Sequence, residues 1–116
     1  MIEIAALGFL LMGLVALVSP RRVTRCVAFT EQPVAAARNE VRAVYGGFGV
    51  AMGGLLIACR DYPQWRDGVL LALALALLGM AAGRLVSWGV DRRLDGFPTL
   101  FLMAEVGLGI GLLFSL

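Results

Sequence analysis

Apolar residues run along this chain in four long blocks: Ile2–Val18, Val41–Cys59, Val69–Val90 and Phe97–Leu116. Each is close to the ~20 residues that an α-helix needs to cross ~30 Å of hydrocarbon. Three polar segments rich in Arg, Asp and Pro separate them. The pattern predicts an all-α fold: an integral membrane four-helix bundle with short connections, residues 1–116 forming a single four-span transmembrane domain. Pro20 is expected to stop the first helix. Pro33 suits the first turn of the second, because its fixed φ is already helical, so one helix is expected from Pro33 to Arg60. Tyr62, Trp65, Trp88 and Phe97 fall near predicted helix ends, where amphipathic rings anchor at the membrane interface.

Composition points the same way. Sixty per cent of the 116 residues are hydrophobic and 16% are charged, where soluble domains carry about 25% charged residues. A soluble fold this short could not hide so much apolar surface. All ten cationic residues are arginine, and histidine is absent. That removes the commonest metal ligand and the usual general base near neutral pH. Imidazole-held haem, His-bearing zinc sites and Ser-His-Asp triads are excluded, and no catalytic residue, metal or cofactor is expected. A net charge of +2 is too small to suggest nucleic acid. Cys26 and Cys59 form no CxxC or metal-ligand spacing and are expected to stay free.

The arginines also predict direction. The first connection holds Arg21, Arg22, Arg25 and Arg38, the third Arg92 and Arg93, and the second only Arg60 and Arg66, each beside an aspartate. Six against two puts the first and third connections in the cytoplasm and both termini in the periplasm of a bacterial inner membrane. Met1-Ile2-Glu3 has no positive charge, which argues for a reversed anchor over a cleaved signal peptide.

Glycines cluster within the blocks. On a helix of 3.6 residues per turn, Arg42, Gly46, Gly49 and Gly53 share one stripe, and Gly47, Ala51 and Gly54 a second. The same spacing recurs as Ala72, Ala76, Gly79 and Gly83, and as Ala104, Gly107, Gly111 and Ser115. Helices in lipid gain little by hiding leucine, so small residues that let backbones approach mark the packing faces. Gly46, Gly49, Gly53, Gly79, Gly83, Gly107 and Gly111 are therefore expected at helix–helix contacts. No GxxxxGK[ST] run is present, so a phosphate-binding loop is not expected.

Charges inside spans are costly and usually pair. Arg84 lies one to two turns before the end of the third block, and Glu105 about two turns into the fourth. If those helices are antiparallel, the two lie at similar depth. Glu40, Arg42, Tyr45, Ser87, Asp91 and Asp95 fall near the same depth, predicting one polar cluster in the cytoplasmic half of the bundle.

In "EVRAVYGGFGVAMGG", "AAGRLVSWGVD" and "DGFP" followed by Glu105, the sequence resembles the DUF4345 group of small bacterial four-span membrane proteins. The matching positions are Glu40, Arg42, Tyr45, Gly46 and Gly47, then Gly83, Arg84 and Ser87, then Asp95, Gly96, Pro98 and Glu105, over roughly residues 38–107. The resemblance implies a fold and no activity. The expected function is a non-enzymatic accessory or structural subunit that packs into a larger membrane complex or associates with itself. Its partners would be the lipid bilayer and a membrane protein or its own copies, with the polar cluster able to hold a lipid. The alternative is a small solute or proton-coupled transporter using Glu105 and Arg84.

Overall fold

A computed structural model describes residues 1–27, 39, 41–92 and 96–116. Among them every regular element is helical: α1 (Ile2–Val18), α2 (Pro20–Val27), a π-helical segment (Val41–Gly47) that leads into α3 (Phe48–Ala58), α4 (Pro63–Asp91) and α5 (Gly96–Leu113). The helices fall into two compact units, Glu3–Ala58 and Met1–Ile2 with Cys59–Leu116. Two stretches, Val41–Ala58 and Pro63–Val90, are long and apolar enough to cross a membrane, while Ile2–Val18 and Pro98–Leu113 are apolar but shorter.

In the first unit, α1 and α3 pack as an antiparallel pair whose backbones come close at Gly13 and Gly49, with the side chains of Leu17 and Leu10 set against Gly46 and Gly53. α1 buries Ala5, Ala6, Phe9, Gly13 and Ala16, one stripe at helical spacing. Opposite lie Gly46, Gly49 and Gly53, all buried. A Cβ placed on Gly13 would stand 2.6 Å from the Val50 nitrogen and 2.9 Å from the Gly46 carbonyl oxygen. One on Gly49 would stand 3.0 Å from both the Gly13 Cα and the Phe9 carbonyl oxygen, and one on Gly53 3.0 Å from the Ala6 carbonyl oxygen. The backbones touch, and only glycine permits that approach. The outer faces of α1, with Ile4, Leu7, Leu11 and Val18, stay exposed and apolar.

The second unit is an α4–α5 hairpin. α4 buries Leu70, Leu73, Ala74, Leu77 and Ala81, again one helical stripe. On α5, Glu105, Gly109 and Leu112 are buried at i, i+4, i+7. Gly109 fits against Leu78 and Ala74: a Cβ on it would meet the Leu78 Cγ at 2.9 Å. Gly111 meets the side chain of Met1.

Several elements differ from the sequence expectation. Pro20 follows the end of α1 and opens a new helix, α2, because a proline fits the first helical position as well as it breaks an interior one. Pro63 does the same for α4, which starts six residues before Val69 and takes Trp65, Arg66 and Asp67 onto the helix. α5 ends at Leu113, where the Ser115 amide bonds to the Leu112 carbonyl at 3.1 Å and the Leu116 amide to the Leu113 carbonyl at 3.2 Å, a tightened last turn. Residues 41–47 form wide π turns rather than the α-helix that a 3.6 period assumes. The π segment ends at Gly46-Gly47, two positions with no side chain to oppose the wider turn. The start of the helix expected from Pro33 to Arg60 lies outside the described residues, and its described part ends at Ala58.

Candidate functional site

α4 and α5 run antiparallel, which carries Arg84 and Glu105 to one level. Arg84 lies two turns before the end of α4 and Glu105 between two and three turns into α5. The Arg84 Nε donates to Glu105 Oε2 at 2.7 Å, and Nη2 donates to Oε1 at 2.8 Å. This two-point geometry matches a planar guanidinium to a planar carboxylate and is the strongest form of the ion pair. Glu105 is 6% exposed, the one buried charged residue among those described. The Arg84 guanidinium carbon also lies 5.2 Å from the centre of the Phe101 ring, one turn before Glu105, so the cation sits against a π face. A buried carboxylate held at both oxygens is stable where it is. Among the described residues no buried side-chain nitrogen or oxygen lacks a hydrogen bond.

Two further arginines complete helix ends. The last carbonyls of a helix have no partner within it. Arg42 Nε reaches the Leu17 carbonyl at the end of α1, at 3.5 Å. Arg66 Nη2 donates to the Ser115 carbonyl just beyond α5, while its Nη1 pairs with Asp67 at 3.0 Å. In each antiparallel pair, an arginine early in one helix thus meets the negative end of the other, where cations are favoured. Neither contact was expected from the sequence. The signal for them is an arginine in the first turn of a span whose neighbour ends at the same level.

The other predicted site residues distribute as follows. Tyr45 is half-buried in the π segment and Ser87 is exposed on α4. Glu40 and Asp95 lie outside the described residues, as do the side chains of Asp91 and Cys26. Cys59 is free and buried. Gly46, Gly49 and Gly53 face α1. Among the described residues, a Cβ on Gly79, Gly83 or Gly107 would find nothing within 4 Å. The α4–α5 seam uses Gly109 instead of Gly107, because Glu105 fixes the rotation of α5 and Gly109 stands one turn beyond it. No group of three metal-ligating side chains occurs among the described residues. Tyr62 stacks on Trp65 at the start of α4, with ring centres 4.5 Å apart and planes 15° from parallel.

The whole chain, residues 1–116, matches the family model described as Domain of unknown function (DUF4345). This chain belongs to the DUF4345 family. The match extends well past the segment around residues 38–107 that carries the sequence resemblance, and takes in α1 and the chain's last turn. No curated protein and no solved structure matches. In this DUF4345 chain the described polar contacts include a buried two-point ion pair between α4 and α5 and two helix ends met by arginines.

Proposed function

We propose that this DUF4345 chain is a non-enzymatic protein of the bacterial inner membrane. It crosses the bilayer four times, with both termini in the periplasm, and serves as an accessory subunit that packs into a larger membrane assembly or against its own copies. The observation that carries this reading is the face of α4 turned away from α5. Gly68, Ala72, Ala76, Gly79, Gly83 and Ser87 are all exposed there, at i, i+4, i+8, i+11, i+15 and i+19. Gly68, Gly79 and Gly83 have open space around them. In Glu3–Ala58 the same kind of stripe is filled by the backbone of another helix. In lipid, a face of this kind is where one more helix gains contact.

The dimensions of α4 support a spanning orientation. Trp65 and Trp88, both exposed, are 23 residues apart, about 35 Å at 1.5 Å per residue, close to the hydrocarbon thickness plus its interfaces. Of the most apolar stretches of Val41–Ala58 and Pro63–Val90, 28% is buried, leaving apolar surface that lipid would cover. Extraction in native nanodiscs tests the proposal. An assembly larger than one chain, of one or more components, is expected; a free monomer with nothing co-purifying would refute it.

The Arg84–Glu105 pair bears on the transporter alternative. A proton carrier built on Glu105 would have to release both carboxylate oxygens from Arg84 in each cycle. A structural role needs no such step. Proteoliposomes are expected to show no proton or solute flux that Glu105→Gln abolishes, and such a flux would favour the carrier.

A further inference from the structure

Among the described residues of the Glu3–Ala58 unit, Arg21, Arg22 and Arg42 are exposed. α2 follows α1 after a single residue, Ser19, so it sits directly at the end of an apolar helix. Pro20 is buried and Val23 half-buried, while Arg21 and Arg22 are exposed. Arg25 stands one turn beyond Arg21 in the helix register. α2 packs against the π-helical segment, which carries the exposed Arg42 at the last turn of α1. From Ser19 to Arg42 the sequence has five arginines, Arg21, Arg22, Arg25, Arg38 and Arg42, against Glu31 and Glu40. Among the described residues of this unit the one carboxylate is Glu3, at the opposite end of α1.

We propose that Arg21, Arg22 and Arg42 form a docking surface for the phosphodiester headgroups of anionic phospholipids, at the level where α1 leaves the hydrocarbon. The site differs from the Arg84–Glu105 pair, whose charges neutralise each other. Three features select lipid over an acidic protein. The surface begins one residue after a span, at headgroup depth. Its helix packs Pro20 and Val23 into the protein and leaves Arg21 and Arg22 exposed, so both guanidinium groups are available to headgroups at that level. The guanidinium fork binds phosphate oxygens two at a time, and its long apolar stem lies along the acyl boundary. Each such arginine strengthens attraction to an anionic leaflet by roughly fivefold, and the gain falls with salt.

The inference rests on the membrane-spanning reading, and the test separates the two. The full chain is reconstituted in phosphatidylcholine vesicles doped with phosphatidylglycerol, and vesicle flotation is followed by electron paramagnetic resonance of spin-labelled lipids. Failure to float with the vesicles overturns the spanning reading. A chain that floats should prefer labelled phosphatidylglycerol over labelled phosphatidylcholine by at least roughly fivefold at low salt, the gain of one arginine at a phosphate. Arg21→Gln with Arg22→Gln should reduce that preference severalfold, and Arg21→Lys with Arg22→Lys should keep most of it. The proposal is overturned if the chain floats without preference, if the glutamine variant matches the wild type, or if the lysine variant loses as much as the glutamine variant. It is also overturned if the glutamine variant sheds a co-purifying protein while its lipid preference stays unchanged.

Discussion

Replacing Gly13 with alanine adds one methyl group to a seam that has no room for it. The new Cβ would lie 2.6 Å from the Val50 nitrogen and 2.9 Å from the Gly46 carbonyl oxygen. Both are backbone atoms and cannot rotate away. Ordinary contact lies near 3.5–4.0 Å, so α1 and α3 must separate by about 1 Å, which forfeits a quarter to a half of the attraction along the seam. Overpacking of this kind costs ~1–3 kcal/mol. Against it stands the helix preference of alanine over glycine, worth ~0.5–1 kcal/mol. Gly13→Ala should therefore be destabilising by about 1–2 kcal/mol net of that preference. Gly49→Ala should cost less, since its closest backbone atoms stand at 3.0 Å. Gly79→Ala and Gly83→Ala are internal controls: they gain the same helix preference and meet nothing within 4 Å, so they should be neutral or slightly stabilising. Unfolding in mixed micelles titrated with a denaturing detergent, followed by circular dichroism, measures all four. If Gly13→Ala proves as stable as the wild type, the close backbone packing of α1 on α3 is wrong; if Gly79→Ala loses as much as Gly13→Ala, the face of α4 that carries Gly79 is packed in the micelle.

Arg84→Met should cost ~3–5 kcal/mol by leaving the buried Glu105 charge unpaired and Glu105→Gln less, because Arg84 is only part-buried, while the double variant recovers part of the loss; the same unfolding titration reads this, and simple additivity would dissolve the pair. Arg92 closes α4 in the left-handed region at φ 53°, so Arg92→Gly should raise stability by about 0.5 kcal/mol, the strain of a left-handed Cβ less the entropy cost of glycine. Gly79→Leu and Gly83→Leu should leave the helix content of the chain intact and reduce the size of the assembly extracted in native nanodiscs; an unchanged assembly would show that this face looks onto lipid.

The meeting of Arg84 and Glu105 could be read from the sequence because depth in antiparallel helices follows from counting residues to the turn. Gly46, Gly49 and Gly53 could be read as one face for a similar reason, since four- and three-residue spacings repeat on any helix of about that pitch. The partner of that face was harder. α1 offers one buried glycine, Gly13, among alanines, and no small-xxx-small pair of glycines announces it. Gly109 was missed because an i, i+4 pattern favours Gly107 and Gly111, whereas the rotation of α5 is set by the buried Glu105. The starts of α2 and α4 were hidden by proline, which reads equally as a helix stop and a helix start until its neighbours are placed. The π segment leaves no periodic trace over seven residues. Arg42 and Arg66 looked like residues of a polar edge, and only the position of another helix end turns them into caps.

The measurement closest to the central claim is the sidedness of each connection. Dual reporters that are active either in the cytoplasm or in the periplasm can be fused after Val27, Arg60, Arg92 and Leu116 in the intact bacterial membrane. Four crossings with both termini outside predict cytoplasmic activity at Val27 and Arg92 and periplasmic activity at Arg60 and Leu116. Equal sidedness at any two successive sites would mean that the helix between them does not cross, and would contradict the account.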